Sequence, residues 1–153
     1  LKDVPQIQEL SWKNGNLSRL EITEKNELGK INFDNNKFTQ FNYPQLKKLY
    51  NLSINDNKLT GTMNMNLYPQ LSVLRCRNNE IEEIYGVSHK GEIYTLDCYN
   101  NRLKLIDLRD TEDLFYLDCE KNPNVTVYAC LNDYKCDPTA VLYDQVLFDA
   151  LKN

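Results

Sequence analysis

Glycine and proline number only five each in 153 residues, too few for a turn-rich hairpin protein or a flexible linker. Something else must make the turns. Charge of one sign is also missing. Against 22 acidic residues stand 18 Lys and Arg, a net charge of −4, with no clustered basic excess of the kind that neutralises phosphates, so nucleic acid is not an expected partner. No apolar run approaches the roughly 20 residues needed to cross a bilayer, which excludes membrane insertion of this segment by a helix. The chain opens at Leu1 without a charged segment leading into an apolar core, so any export signal is expected to have been removed or never present. There is one histidine, and no pair of cysteines has two-residue spacing, so zinc has no ligand set. What remains is one domain's worth of globular sequence, rich in Asn and with ten Tyr.

A repeat runs through it. Leu28, Ile31, Phe33, Asn36, Phe38 and Phe41 define the frame L-x-x-L-x-L-x-x-N-x-L-x-x-L, with any large apolar residue accepted for Leu. The frame returns as Leu49, Leu52, Ile54, Asn57, Leu59, and then as Leu71, Leu74, Cys76, Asn79, Ile81, Ile84. It returns again as Ile93, Leu96, Cys98, Asn101, Leu103, Ile106, and as Leu114, Leu117, Cys119, Asn122. An opening copy runs Ile7, Leu10, Trp12, Leu17, Leu20, with Gly15 in place of the Asn. Successive starts lie 21 or 22 residues apart.

The fourth and sixth positions of each copy are apolar between polar third, fifth and seventh positions, the period-two signature of a short strand with one buried face. One such coil cannot bury that face alone, so coils stack, their strands pair in parallel and a continuous core forms. The Asn column (Asn36, Asn57, Asn79, Asn101, Asn122) falls where the chain leaves the strand. There the amide is expected to satisfy backbone groups of its own and neighbouring coils. The return path is less regular: Tyr43-Pro44-Gln45-Leu46 and Tyr68-Pro69-Gln70-Leu71 stand at different offsets from the next start. Coils this short leave room there for extended chain or a 3₁₀ turn rather than a full helix.

This pattern resembles the leucine-rich repeat, and Leu96-Asp97-Cys98-Tyr99-Asn100-Asn101-Arg102-Leu103 through Ile106-Asp107-Leu108 is most similar to the short bacterial surface variety. The resemblance covers about residues 7–128. It implies an α/β solenoid dominated by parallel β-structure, right-handed, with six coils and little helix on the convex side. It also implies a non-catalytic module that binds another protein on its concave face, exported to a bacterial surface.

Residues 1–153 are read as one domain, with 1–6 and Trp12 covering the front, the repeats over 7–128 and a C-terminal cap over 129–153. Within that cap, Asp137-Pro138 followed by Ala140, Tyr143, Val146, Leu147, Ala150 and Leu151 predicts an amphipathic helix. Five cysteines cannot all pair within one chain. Cys76, Cys98 and Cys119 share one inward position and predict a column of buried thiols. Cys130 and Cys136 are the candidate disulfide, which would speak for an exported protein. His89 sits on the return side with no nucleophile brought near it, and Glu80-Ile81-Glu82-Glu83 reads as a solvated acidic edge. No catalytic site, cofactor or metal is predicted.

The outward columns reconstruct the exposed sheet face. The fifth position reads Ser11, Asn32, Ser53, Arg75, Asp97, Asp118; the seventh reads Lys13, Asp34, Asn55, Arg77, Tyr99, Glu120; the third reads Glu9, Lys30, Asn51, Val73, Thr95, Tyr116. The second half concentrates Arg75, Arg77, Asp97, Tyr99, Tyr116, Asp118 and Glu120, and Tyr and Arg are the residue types that most often anchor interfaces. These seven are the candidate binding residues for a protein ligand, with a glycan as the second choice. The plainer reading is that Arg75 and Arg77 pair with the acids across coils to relieve like-charge stacking. An intracellular scaffold or inhibitor of the same shape is the alternative to a surface or secreted protein.

Overall fold

The computed structural model describes residues 6–23, 27–86, 93–108, 114–123 and 125–129. Across them the chain winds as a parallel β-solenoid of about five turns with almost no helix. The predicted strands form at the predicted places: β1 (Glu9–Ser11), β2 (Lys30–Asn32), β3 (Asn51–Ser53), β5 (Val73–Arg75), β7 (Thr95–Asp97) and β9 (Tyr116–Asp118). They make one six-stranded sheet in the order β1-β2-β3-β5-β7-β9. Its register follows the sequence beat, with Glu9 beside Lys30, Lys30 beside Asn51, Asn51 beside Val73, Val73 beside Thr95 and Thr95 beside Tyr116. A one-residue slip would turn each buried Leu or Ile outward, so the apolar fourth position fixes that register.

The return side carries a second parallel sheet, of four strands in the order β10-β8-β6-β4: β4 (Thr60–Asn64), β6 (Glu80–Tyr85), β8 (Leu105–Leu108) and β10 (Thr126–Ala129). One 3₁₀ turn, Met65–Leu67, is the only helical element among the described residues. Ile81 and Ile84 are both buried although they lie three apart, a spacing that regular alternation would place on opposite faces. The sheet absorbs this by a register shift. Gly61 pairs with Ile81 and Thr62 with Glu83, so Glu82 is passed over, and Gly61 takes a positive φ of 70° at that irregularity. The acidic edge of β6 is exposed as expected, and it is paired: Arg102 lies 3.0 Å from Glu80 and Lys104 2.7 Å from Glu82.

The turns are made by asparagine in two adjacent columns. Residues Asn14, Asn35, Asp56, Asn78, Asn100 and Lys121 all hold φ between 53° and 56°, the left-handed region that Asn and Asp visit most readily after Gly. Behind each left-handed residue from Asn35 onward stands the buried column. Asn79 Nδ2 donates to the carbonyls of Ile54, Cys76 and Arg77, each at 3.0 Å, while its Oδ1 accepts from Leu59 N–H at 3.0 Å. Asn57, Asn101 and Asn122 repeat the pattern, reaching back to Phe33, Cys76 and Cys98 of the preceding turn. Gly15 leaves room for it at the first turn: a Cβ there would lie 2.8 Å from Asn36 Oδ1 and 2.7 Å from Trp12 Nε1.

The core between the sheets holds Leu28, Ile31, Phe33, Phe38, Leu49, Leu52, Leu74, Leu96 and their repeat equivalents, nearly all fully buried. Cys76, Cys98 and Cys119 are buried free thiols on one inward position, as the frame predicts. Burial pushes the Cys76 and Cys98 thiols well above their ordinary range. Trp12 is expected both to fill an inward position and to help cover the front. It stands at an inward position of the frame yet is 57% exposed, and Ile7, Leu10, Leu17 and Leu20 are only partly buried. Residues 1–5 of the expected front cover at 1–6, the capping helix from Asp137 to Leu151, the Cys130 and Cys136 pairing and His89 lie outside the described residues. No helix among the described residues is long and apolar enough to cross a membrane.

Candidate binding surface

The third, fifth and seventh positions leave the six-stranded sheet on the side away from the core. On the first three strands they form an amide and hydroxyl network. Asp34 Oδ1 accepts from Ser53 Oγ at 2.7 Å and from Asn55 N–H at 2.8 Å, and Asn55 Oδ1 accepts from Arg77 N–H at 2.8 Å. These groups are spent on one another.

From β5 onward the chemistry changes. Parallel pairing sets Asp97 directly beside Asp118, and Arg75 beside Asp97. Two carboxylates on adjacent rungs, roughly 5 Å apart, would repel by on the order of 3 kcal/mol in a surface dielectric. Arg77 answers this. Its Nη2 donates to Asp118 Oδ2 at 2.9 Å, while its Nε lies 3.3 Å from Asp97 Oδ1, near enough for ion pairing but out of line for a hydrogen bond. The guanidinium also covers the Tyr99 ring, its Cζ 4.7 Å from the centroid.

Asp97 is the most buried member of the group, 5% exposed. Burial raises its carboxyl above the usual carboxylate range and Asp118 adds to the rise, while Arg77 and the Tyr99 N–H pull it down. Tyr116 reaches Asp118 Oδ2 with its hydroxyl at 3.5 Å, and burial followed by the charges of Asp118 and Asp97 raises its phenol. Glu120 donates its N–H to Asp118 Oδ1 at 3.2 Å and projects an exposed side chain. The fold therefore brings Arg77, Asp97, Tyr99, Tyr116 and Asp118 into one contiguous cluster. Arg75 and Glu120 flank it on opposite sides. The plainer expectation, that arginine relieves stacked acids across coils, describes Arg77.

Two features escaped the columns read from sequence. Lys121, one of the left-handed residues, sets its Nζ 5.2 Å from the Tyr99 centroid, opposite in origin to Arg77. Tyr94 and Phe115 stack in parallel, centroids 5.0 Å apart, and Phe115 is 72% exposed. The second position of the frame, which reads Gln8, Gly29, Tyr50, Ser72, Tyr94, Phe115, carried that signal in its three aromatics. An open cleft of about 560 Å³ lies elsewhere, lined by Arg19, Glu21, Phe38, Gln40 and Tyr43 among others, and holds none of the sheet-face residues. Among the described residues no group of three or more His, Cys, Asp or Glu is placed to hold a metal ion. Comparison of the chain with protein-family models, with curated proteins and with solved structures returns no match.

Proposed function

We propose that the chain is a non-catalytic protein-binding module of the leucine-rich repeat type, built from six coils, and that it acts on the cell surface or after secretion. Its ligand is a protein, held on the outer face of the six-stranded sheet around Arg75, Arg77, Asp97, Tyr99, Tyr116, Asp118 and Glu120. A glycan is the second choice. The supporting observation is the Arg77 cluster, in which one guanidinium is fixed by two carboxylates above a tyrosine ring. Side chains already ordered in the free protein lose little further entropy on binding, which favours such a patch as an anchor over a loose field of charges.

The test is affinity capture with the intact protein beside the Arg75→Ala/Tyr99→Ala/Tyr116→Ala variant. A specific protein retained by the first and lost by the second supports the reading, and equal recovery by both rejects the patch. Export separates from the intracellular alternative by thiol titration under denaturing conditions. Three reactive thiols fit a Cys130 to Cys136 bridge and an oxidising compartment, whereas five fit the cytosol.

A further inference from the structure

Among the left-handed residues Asn14 alone precedes a glycine, and Asn14-Gly15 is the one Asn-Gly pair in the chain. Such a pair is chemically weak. An asparagine amide is open to attack by the backbone nitrogen of the next residue, and glycine, with no side chain and free torsions, opposes that approach least. Packing demands the glycine: a Cβ at residue 15 would lie 2.7 Å from Trp12 Nε1 and 2.8 Å from Asn36 Oδ1. The fold therefore imposes a labile pair at a turn where Asn14 is exposed. It also holds the pair still. Gly15 N–H donates to Asn35 O at 3.0 Å, Asn14 N–H donates to Asp34 O at 3.0 Å, and Asn14 Oδ1 accepts from Asn35 Nδ2 at 2.9 Å. All three partners belong to the second coil.

We propose that Asn14 is a site of spontaneous, one-way modification, deamidation to aspartate or isoaspartate, and that docking of the first coil on the second is what withholds the reaction. This goes beyond the binding-face reading and does not depend on it. Base removes the Gly15 amide proton, the nitrogen bonds to Asn14 Cγ, and the Cγ–Nδ2 bond breaks with the side-chain nitrogen leaving as ammonia. Water then opens the cyclic imide at either carbonyl. One opening leaves aspartate; the other leaves isoaspartate, in which the main chain runs through the former side chain. While Gly15 N–H is shared with Asn35 O its proton is not free to leave, so the reaction waits for a local opening, as amide exchange does. That opening is a parting of two coils. Asn36 holds them together, donating Nδ2 to Trp12 O at 2.6 Å and accepting Leu17 N–H with Oδ1 at 3.1 Å. Isoaspartate adds a methylene to the backbone, so a converted turn cannot restore the Asn14 and Gly15 N–H bonds in their former register. A first coil that has stood open is thereby permanently marked.

The experiment is peptide mapping by mass spectrometry of the full chain incubated at pH 8, with and without urea, beside the Asn36→Ala variant without urea. Exchange of the Gly15 amide is measured on the samples without urea. The parent in buffer is expected to convert Asn14 at least roughly tenfold more slowly than the parent in urea. Asn36→Ala is expected to convert it faster than the parent, by the same factor as its Gly15 amide exchanges faster. Far-UV circular dichroism shows whether that variant is folded, and if it is not, Leu17→Ala, which trims the first coil's side of the contact, takes its place. Equal rates for the parent with and without urea overturn the proposal, as does an Asn14 that stays intact in urea. A folded variant that converts no faster than the parent overturns it too.

Discussion

Replacement of Asn79 by alanine isolates what the buried asparagine column does. Four groups lose a partner: the carbonyls of Ile54, Cys76 and Arg77 and the N–H of Leu59. The losses are unequal. Ile54 O keeps Asn57 Nδ2, Cys76 O keeps Asn101 Nδ2, and Arg77 O keeps the Asp56 N–H. Leu59 N–H keeps nothing and stands in a fully packed layer. A buried donor left unmade costs about 1–3 kcal/mol, and each bond lost from a carbonyl that retains another costs about 0.5–1.5 kcal/mol at most. Together these give roughly 2.5–7.5 kcal/mol, a large share of the stability of a domain this size. Urea unfolding of Asn79→Ala against the parent, followed by far-UV circular dichroism, measures it as a shift in midpoint at constant slope. Asn79→Asp sharpens the reasoning, since it retains an acceptor for Leu59 but turns a carboxylate toward three carbonyls. At neutral pH it should be at least as damaging as alanine. A loss under about 1 kcal/mol for alanine, or an aspartate milder than alanine, would falsify the account in which the donors hold the turn.

Other outcomes follow from the same structure. Cys76, Cys98 and Cys119 should resist thiol reagents in the native state and react once urea unfolds the chain. Because the thiols of Cys76 and Cys98 are raised in the fold, their contribution to stability is intact below the ordinary value of 9.0 and is lost as pH climbs above it, which unfolding midpoints from pH 7 to 10.5 would register. Arg77→Leu strips the counter-ion from Asp97 and Asp118 and should cost about 2–4 kcal/mol at neutral pH. Since Asp97 is already raised, its protonation on acidification should recover more stability in that variant than in the parent, and unfolding at pH 5 and pH 7 decides whether it does. Gly86→Ala should cost more than Gly61→Ala. Both sit at positive φ, about 1 kcal/mol for a side chain, but only at Gly86 would the new Cβ meet a neighbour, the Asn66 backbone nitrogen at 2.9 Å. Equal melting temperatures for the two would contradict that contact.

The strands of the larger sheet could be located within each copy from sequence because the frame has a period of two inside a period of 21 or 22, although they end at the fifth position while the alternation runs on to the seventh. A fourth-position Leu such as Leu74 or Leu96 has only one buried register open to it. The smaller sheet was harder to see. Ile81 and Ile84 mimic helical spacing, and only the slip at Gly61 reconciles them with a strand. The cluster itself was legible as columns, yet not its wiring. That Arg77 rather than Arg75 would take both aspartates depends on side-chain reach across two rungs, which no one-dimensional column contains. The left-handed column was overlooked because its residues, four Asn, one Asp and one Lys, lie beside the more regular buried Asn and share its polarity.

The direction in which the buried amides reach gives the protein a grain. Leu17, Phe38, Leu59, Ile81 and Leu103 each hand an N–H to an asparagine supplied by the segment that comes later in the chain. A nascent polypeptide therefore leaves its newest turn incomplete until some twenty further residues have emerged. Deletion from either end uncovers strand and turn donors, such as Gly29 and Lys37 once Gln8 and Leu17 are gone, but only deletion from the carboxyl end also strips the buried N–H groups of their asparagine. Erosion should accordingly run more easily from the back of the ladder than from the front.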